Sequence, residues 1–186
     1  MDSDAFLNSA RKLFGYYQRL GDHTFQQLHD GQLFWRYDAE ANSIAILVNH
    51  LAGNMLSRWT DFLVRDGEKT WRNRDREFES VIHTRRELLD RWQSGWSTLY
   101  KALDELGSED LDRLVYIRGQ GHTVREAIHR QMTHYAYHVG QIVLLGRLQK
   151  GKDWRSLSVP RGQSRAFNEA HFEKGRRRAH FTDEEE

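Results

Sequence analysis

Cysteine is absent from the 186 residues of the chain. This absence excludes disulfide frameworks, cysteine-ligated zinc sites and a cysteine nucleophile. It also restricts any bound metal ion to nitrogen and oxygen ligands, and any thiol that takes part in a reaction must come from another molecule.

Proline and long apolar runs are equally scarce. The single proline is Pro160, and because proline interrupts helices, the rest of the chain can form long uninterrupted ones. The longest mostly apolar stretch covers residues 44–51, far short of the roughly 20 residues that cross a bilayer. No signal peptide is visible at the N-terminus. We therefore expect a cytoplasmic protein with no membrane partner.

Charge of one sign is lacking as well, because 28 Lys and Arg residues oppose 27 Asp and Glu residues. The net charge of +1 gives no overall field that would attract nucleic acid. Segment 65–77, RDGEKTWRNRDRE, is rich in charge, but its five basic and four acidic residues nearly cancel. We expect no nucleic-acid partner, and we interpret this segment as a solvated connector with Trp71 against the core.

Four segments have the apolar periodicity of amphipathic helices. They cover about residues 3–29, 43–64, 79 or 84–106, and 124–149. Four long helices favour an all-α fold, specifically a four-helix bundle, and an all-helical array of another shape is the alternative. We assign residues 1–152 to the bundle, 153–170 to an ordered tail packed on it, and 171–186 to a charged, disordered end.

The segment before the last helix differs in character. Leu111–His122 contains a short β-branched and aromatic run that ends in Gly119-Gln120-Gly121, which predicts an extended segment or a small hairpin. Thr123 then caps the helix, and Glu126 completes a capping box.

Histidine is abundant, with ten residues. His134 and His138 are four residues apart in the last predicted helix, so their imidazoles lie about 40° apart around the axis and one turn apart along it. That spacing lets both bind one metal ion, although such pairs also arise by chance among ten histidines. Gln141 shares the face of His134, and Tyr137 lies about 60° away from it, so both are candidates for orienting the ligands.

A third histidine strengthens this interpretation. His50 lies in the apolar stripe of the second helix, where its ring nitrogens need partners. A core histidine bonded to a carbonyl is the ordinary explanation, but three neutral imidazoles meeting between two helices would form a zinc or nickel site. We predict no ligand role for the other seven histidines, which are His23, His29, His83, His122, His129, His171 and His180.

The order of these motifs resembles the DinB/YfiT-like superfamily of metalloenzymes. The features that carry the resemblance are the helix-two histidine, the long charged connector and the final H-x-x-x-H-x-G-Q motif. In addition, SLSVPRGQSRAFN, residues 156–168, is similar to a bacterial subgroup catalogued as a domain of unknown function.

The resemblance implies a DinB/YfiT-like four-helix bundle with up-down-down-up connections. It also implies a divalent metal bound by His50, His134 and His138, with Gly140-Gln141 as the family's Gly-Gln pair. Many members have an arginine before that pair, where this chain has Val139. Members commonly form homodimers, and characterised relatives include transferases and isomerases that use low-molecular-weight thiols.

Three functional hypotheses follow. The first is thiol-dependent transfer with a low-molecular-weight thiol cosubstrate, for which Arg118 and Arg161 are candidate anion-binding residues. The second is metal-assisted hydrolysis, for which Tyr37, Asp38 and Glu40 are the candidate bases. The third is a non-catalytic dimeric bundle with a structural or vestigial metal site.

Overall fold

The computed structural model describes residues 3–184, which are mostly helical with one two-stranded sheet. The helices are α1 (Ser3–Gln27), α2 (Asp30–Leu33), α3 (Ile44–Trp59), α4 (Arg85–Asp104), α5 (Val124–Lys150) and α6 (Ser164–Glu173). The antiparallel strands β1 (Leu114–Ile117) and β2 (Gln120–Thr123) form the predicted hairpin between α4 and α5. Short 3-10 helices cover Asp75–Phe78, Ser108–Asp110, Gly151–Asp153 and Phe181–Glu184. Across this described range, no helix combines the length and the apolar character that spanning a bilayer requires.

One core joins the four long helices. α3 packs along α4, α1 packs along α5, and α3 also contacts α5. Phe14, Trp59, Trp96 and Tyr135, one from each long helix, are buried at its centre and meet at ring-centroid distances of 5.8–6.5 Å. Trp59 Nε1 donates to Tyr135 Oη at 2.9 Å. Burying each such side chain stabilises the fold by about 2–3 kcal/mol.

Helix α3 is buried on almost every side, with Leu56 as its only residue that is not. On one side, Gly95 of α4 lets the two helices approach closely, since a Cβ there would lie 3.0 Å from Ala52 Cα. The polar side chains of α3, including Asn49 and His50, therefore cannot reach solvent and must find partners within the protein. The connector between α3 and α4 supplies partners for Asn49 and His50, and Tyr135 of α5 supplies one for Asn54.

Helix boundaries follow local signals. Thr84 and Thr123 cap α4 and α5 through capping boxes with Glu87 and Glu126, so the predicted start of α5 is confirmed. α3 ends at Trp59, five residues before the predicted end, because Thr60 is extended and Asp61 takes a φ of 50°. Phe62 and Leu63 therefore pack against the core from a turn, and Val64 is exposed.

The connector is tied to the hairpin. Arg118 and Gly119 form its turn with φ values of 56° and 74°, the left-handed backbone that two-residue hairpin turns favour. The carboxylate of Asp66 accepts hydrogen bonds from both turn amides, at 2.8 Å and 2.7 Å. The connector therefore has a fixed path across the fold.

The C-terminal tail differs from the expectation. Trp154, Leu157 and Val159 are partly buried, and Arg155 exchanges two hydrogen bonds with the side chain of Gln27, but α6 buries no residue. The end predicted to be disordered instead returns to α1, where Asp183 pairs with Lys12 at 2.6 Å. Residues 185 and 186 lie outside the described residues.

Candidate metal centre

Three histidines converge where α3 and α5 meet. His50 comes from α3, and His134 and His138 come from successive turns of α5. Each offers one ring nitrogen, and these three atoms all lie within 4.8 Å of one another. His50 and His138 are buried, and His134 is partly buried. No other Cys, Asp, Glu or His among residues 3–184 joins the group.

The spacing and chemistry of the nitrogens fit a metal ion. His50 Nε2 lies 3.2 Å from His134 Nε2. Two nitrogens that bind one tetrahedral ion at ordinary zinc–imidazole distances are about 3.3 Å apart. Three imidazoles suit zinc, nickel and other first-row divalent ions. Three histidines that close together can thus hold a metal ion.

Glu77, from the connector, holds His50 in the required orientation. His50 Nδ1 lies 2.9 Å from Glu77 Oε2. Burial alone would raise the pKa of Glu77, but the hydrogen bonds from His50 and Arg72 and the charge of Arg72 outweigh burial, so its pKa is lowered. Because an ionised carboxylate only accepts hydrogen bonds, His50 Nδ1 carries the proton and Nε2 presents its lone pair to the centre. Such carboxylate–histidine pairs fix the tautomer of metal ligands.

Arg72 holds Glu77 in turn. Its Nε donates to Glu77 Oε1 at 2.7 Å and its Nη2 donates to Glu77 Oε2 at 2.9 Å, the forked pairing typical of arginine and carboxylate. The third nitrogen, Nη1, donates to Glu68 at 3.1 Å. Glu68 also accepts from Arg58 and Arg118, so the network extends from the histidine to the hairpin.

The two histidines of α5 have different surroundings. His138 Nδ1 lies 2.9 Å from Gln141 Oε1, and because an amide oxygen only accepts, this bond again leaves Nε2 for the centre. His134 Nδ1 is buried without a hydrogen-bond partner among the described residues. Two of the three rings are therefore oriented by side chains, and the third, His134, packs against the rings of Tyr135 and His138.

Burial favours the neutral form of His134 and His138. Desolvation lowers the pKa of His134 to about 3, with further lowering by His138 and His50. Desolvation also lowers the pKa of His138, although its bond to Gln141 opposes the shift. Neutral imidazoles are the form that binds metal ions, so the low pKa values favour metal binding at neutral pH.

A family comparison agrees with one part of the resemblance. The family model described as "Protein of unknown function (DUF1572)" matches residues 2–163. The chain belongs to the DUF1572 family. The expected likeness to a domain of unknown function is thus confirmed. No curated protein sequence matches the chain.

Other residues singled out in this DUF1572 chain lie elsewhere. Tyr137 is 64% exposed; its ring lies 4.9 Å from that of His138, and it forms no hydrogen bond among the described residues. Arg118 binds Glu68 in the hairpin region, and Arg161 is exposed in the tail. The loop residues Tyr37, Asp38 and Glu40 are all exposed, and none of them joins the three histidines.

The connector of the DUF1572 chain is more than a solvated segment. Glu77 is buried and the side chain of Arg72 is only 2% exposed, whereas Trp71, expected against the core, is 57% exposed. Phe78 stacks on His50 with ring centroids 4.5 Å apart. Gly53 is the sequence signal that could have indicated this packing, because a Cβ there would lie 2.6 Å from Glu77 Oε1.

Proposed function

We propose that this chain is a metal-dependent enzyme of the DinB/YfiT-like kind, in which His50, His134 and His138 hold one divalent ion, zinc or nickel. In this proposal α1, α3, α4 and α5 are the four helices of an up-down-down-up bundle. The observation that carries it is the convergence of three imidazoles, two of them oriented through Nδ1 by Glu77 and Gln141.

The proposed reaction is transfer that depends on a low-molecular-weight thiol. Three protein ligands leave coordination positions open, which is the pattern of catalytic rather than structural sites. When bound, the metal supplies Lewis acidity that lowers the pKa of a coordinating thiol. Because the chain has no cysteine, the sulfur must arrive with a cosubstrate.

The protein's own residues prepare this site in three ways. Desolvation holds His134 and His138 in the neutral form at neutral pH. Glu77 fixes the tautomer of His50, and Phe78 covers one face of the same ring. Such preorganisation avoids reorganisation when ligands bind.

Metal analysis tests the site directly. The untagged protein should bind one equivalent of zinc or nickel, and His50→Ala and His134→Ala should each abolish stoichiometric binding at micromolar metal. His129→Ala is the matched control, because His129 is an exposed histidine of α5 that contacts Phe6. Equal metal binding by all four proteins would refute the proposed ligand set.

Activity assays test the reaction class. We expect the metal-loaded protein to transfer a low-molecular-weight thiol to an electrophile, and the His134→Ala variant to lose this activity. Ester and amide substrates should be assayed in parallel. Turnover that needs no added thiol would favour hydrolysis, although Glu77, the carboxylate beside the three histidines, is already paired with His50 and Arg72. No turnover of any substrate by metal-loaded protein would favour a non-catalytic role.

We also propose that the chain forms a homodimer through α5. Tyr137, Leu144 and Leu148 form an exposed stripe on that helix, each more than half exposed. Contiguous exposed apolar side chains often mark an association surface. Sedimentation analysis should give a dimer for the wild type and a monomer for Leu144→Glu, whereas Leu89→Glu, at an exposed site on α4, should leave the dimer intact.

A further inference from the structure

A separate cleft of about 460 Å³ lies against another face of α3. Asn49, Gly53 and Leu56 line it, and their spacing places them on one face of the helix. Asn49 precedes His50 by one residue, so this face lies about 100° around the helix axis from His50. None of the three histidines lines this cleft, and Glu77 and Arg72 are the residues that it shares with the network around the metal centre. Its volume is within the range typical of small-molecule sites.

The polar lining of the cleft has an excess of positive charge. Arg72, Arg76 and Arg91 line it, and Glu77 is the one acidic residue that does. Arg72 and Glu77 are paired with each other, so their charges largely cancel. Arg76 has only a 3.7 Å contact with the exposed Glu79. Two guanidinium groups therefore remain to attract an anion.

Asn49 fixes the backbone at Arg76 and the side chain of Arg91. It is 3% exposed, and its Nδ2 donates to the backbone oxygens of Glu77 at 3.1 Å and Arg76 at 3.4 Å. Its Oδ1 accepts from Arg91 Nε at 3.3 Å, and the terminal nitrogens of Arg91 have no protein partner within residues 3–184. A side chain held in place before the ligand arrives loses less conformational entropy on binding.

Apolar side chains lie at the same cleft. Trp71 is 57% exposed and Val81 is 39% exposed, and both line it. A large exposed indole offers a flat surface on which a planar group can stack. Glu87 and Asp90 line the adjoining groove, which shares Arg91, so an anion is repelled there and favoured on the Trp71 side.

We propose that this cleft binds a small organic anion with a planar apolar body. Arg76 and Arg91 hold its carboxylate or phosphate group, and Trp71 stacks on the body. Anion binding in this cleft needs no metal ion, so the proposal can be tested independently of the function proposed above.

Fluorine NMR of fluorotryptophan-labelled, metal-free full-length protein tests the proposal. Trp71→Phe assigns one of the six tryptophan resonances. The probes are phenyl phosphate, benzoate, inorganic phosphate and the neutral benzyl alcohol. We expect phenyl phosphate or benzoate to shift the Trp71 resonance saturably, and the tighter of the two identifies the anionic group.

The variants separate the cleft from general charge effects. Arg91→Gln should weaken binding by at least about tenfold, the loss typical of a charged hydrogen-bonding group. Arg86→Gln removes the same charge from α4 at a side chain that is 92% exposed and does not line the cleft, so it should bind like the wild type. The proposal is overturned by equal weakening in the two variants, by no saturable shift with either organic anion at millimolar concentration, or by benzyl alcohol or inorganic phosphate binding as tightly as the organic anions.

Discussion

Replacing Glu77 by glutamine should weaken metal binding while leaving the protein folded. The carboxylate accepts one hydrogen bond from His50, at 2.9 Å, and two from Arg72, at 2.7 Å and 2.9 Å. A glutamine amide has nearly the same shape but only one acceptor oxygen. It cannot satisfy His50 and the arginine fork together, so the His50 ring loses its fixed tautomer and orientation.

The expected loss of metal affinity follows from that contact. Removing the partner that orients a ligand histidine typically weakens metal binding by about 10–100-fold. This range corresponds to about 1.4–2.7 kcal/mol of binding free energy. The measurement is a competitive titration with a chromophoric chelator at neutral pH, which reports the dissociation constants of the wild type and the variant on one scale.

The variant should also lose folding stability. Arg72 is buried, so removing the charge of its partner leaves a buried cation that is paired only with Glu68. We expect the free energy of unfolding of the metal-free protein to fall by about 3 kcal/mol, the lower end of the range for breaking a buried pair. Urea unfolding measures this change.

The pH dependence of that loss has a definite sign. The pKa of Glu77 is lowered in the folded state, so its stabilising contribution is present above the carboxyl pKa of the unfolded chain. The contribution disappears as pH falls through the folded-state pKa. The difference in stability between the wild type and Glu77→Gln should therefore be full at neutral pH and vanish in acid.

Glu79→Gln is the matched control. Glu79 is two residues after Glu77 and carries the same charge, but its side chain is 58% exposed. The substitution should leave metal affinity and stability unchanged, since exposed ion pairs contribute little. A folded Glu77→Gln protein with the metal affinity of Glu79→Gln would refute the argument that the carboxylate orients His50.

Four further outcomes test the same structure. Gly53→Ala should reduce stability by about 1–3 kcal/mol and weaken metal binding in a chelator titration, because its Cβ would lie 2.6 Å from Glu77 Oε1. Gly140→Ala, with nothing within 4 Å of its Cβ position, should instead be neutral or stabilising by up to about 1 kcal/mol in urea unfolding. Gln141→Ala removes the acceptor for the His138 ring, so metal affinity in the chelator titration should fall by about tenfold. Because burial lowers the pKa of His134 to about 3, the metal-free protein should lose stability as pH falls from about 6.5 towards 3, and urea unfolding should show a weaker dependence in His134→Gln.

Local signals predicted the elements that depend on local chemistry. The capping box of Thr123 and Glu126 indicated the start of α5, and the run that ends in glycines predicted an extended segment or a small hairpin, of which the hairpin is found. The apolar pattern also indicated that His50 meets His134 and His138, because the apolar neighbours of all three residues place them on helix faces that point into the core.

The partner of His50 was not predictable in the same way. Glu77 is 27 residues along the chain from His50 and lies in a segment with no apolar period. Its identity as a partner depends on where the connector crosses α3, which is set by contacts such as that of Asp66 with the hairpin turn. The composition of the connector shows only that its charges nearly cancel. It does not distinguish charged side chains that are solvated from ones that are buried in pairs.

The pairing of those charges also bears on why they are present. A buried ion pair contributes little net stability, and apolar side chains of similar volume often replace one with no loss. Stability alone therefore does not explain why Arg72 and Glu77 lie beneath α3. What apolar side chains could not supply is an acceptor for His50 Nδ1, held in place by a fork of two hydrogen bonds. The buried pair is explained if its role is to hold the His50 ring in one orientation. That orientation matters most if His50 is a metal ligand.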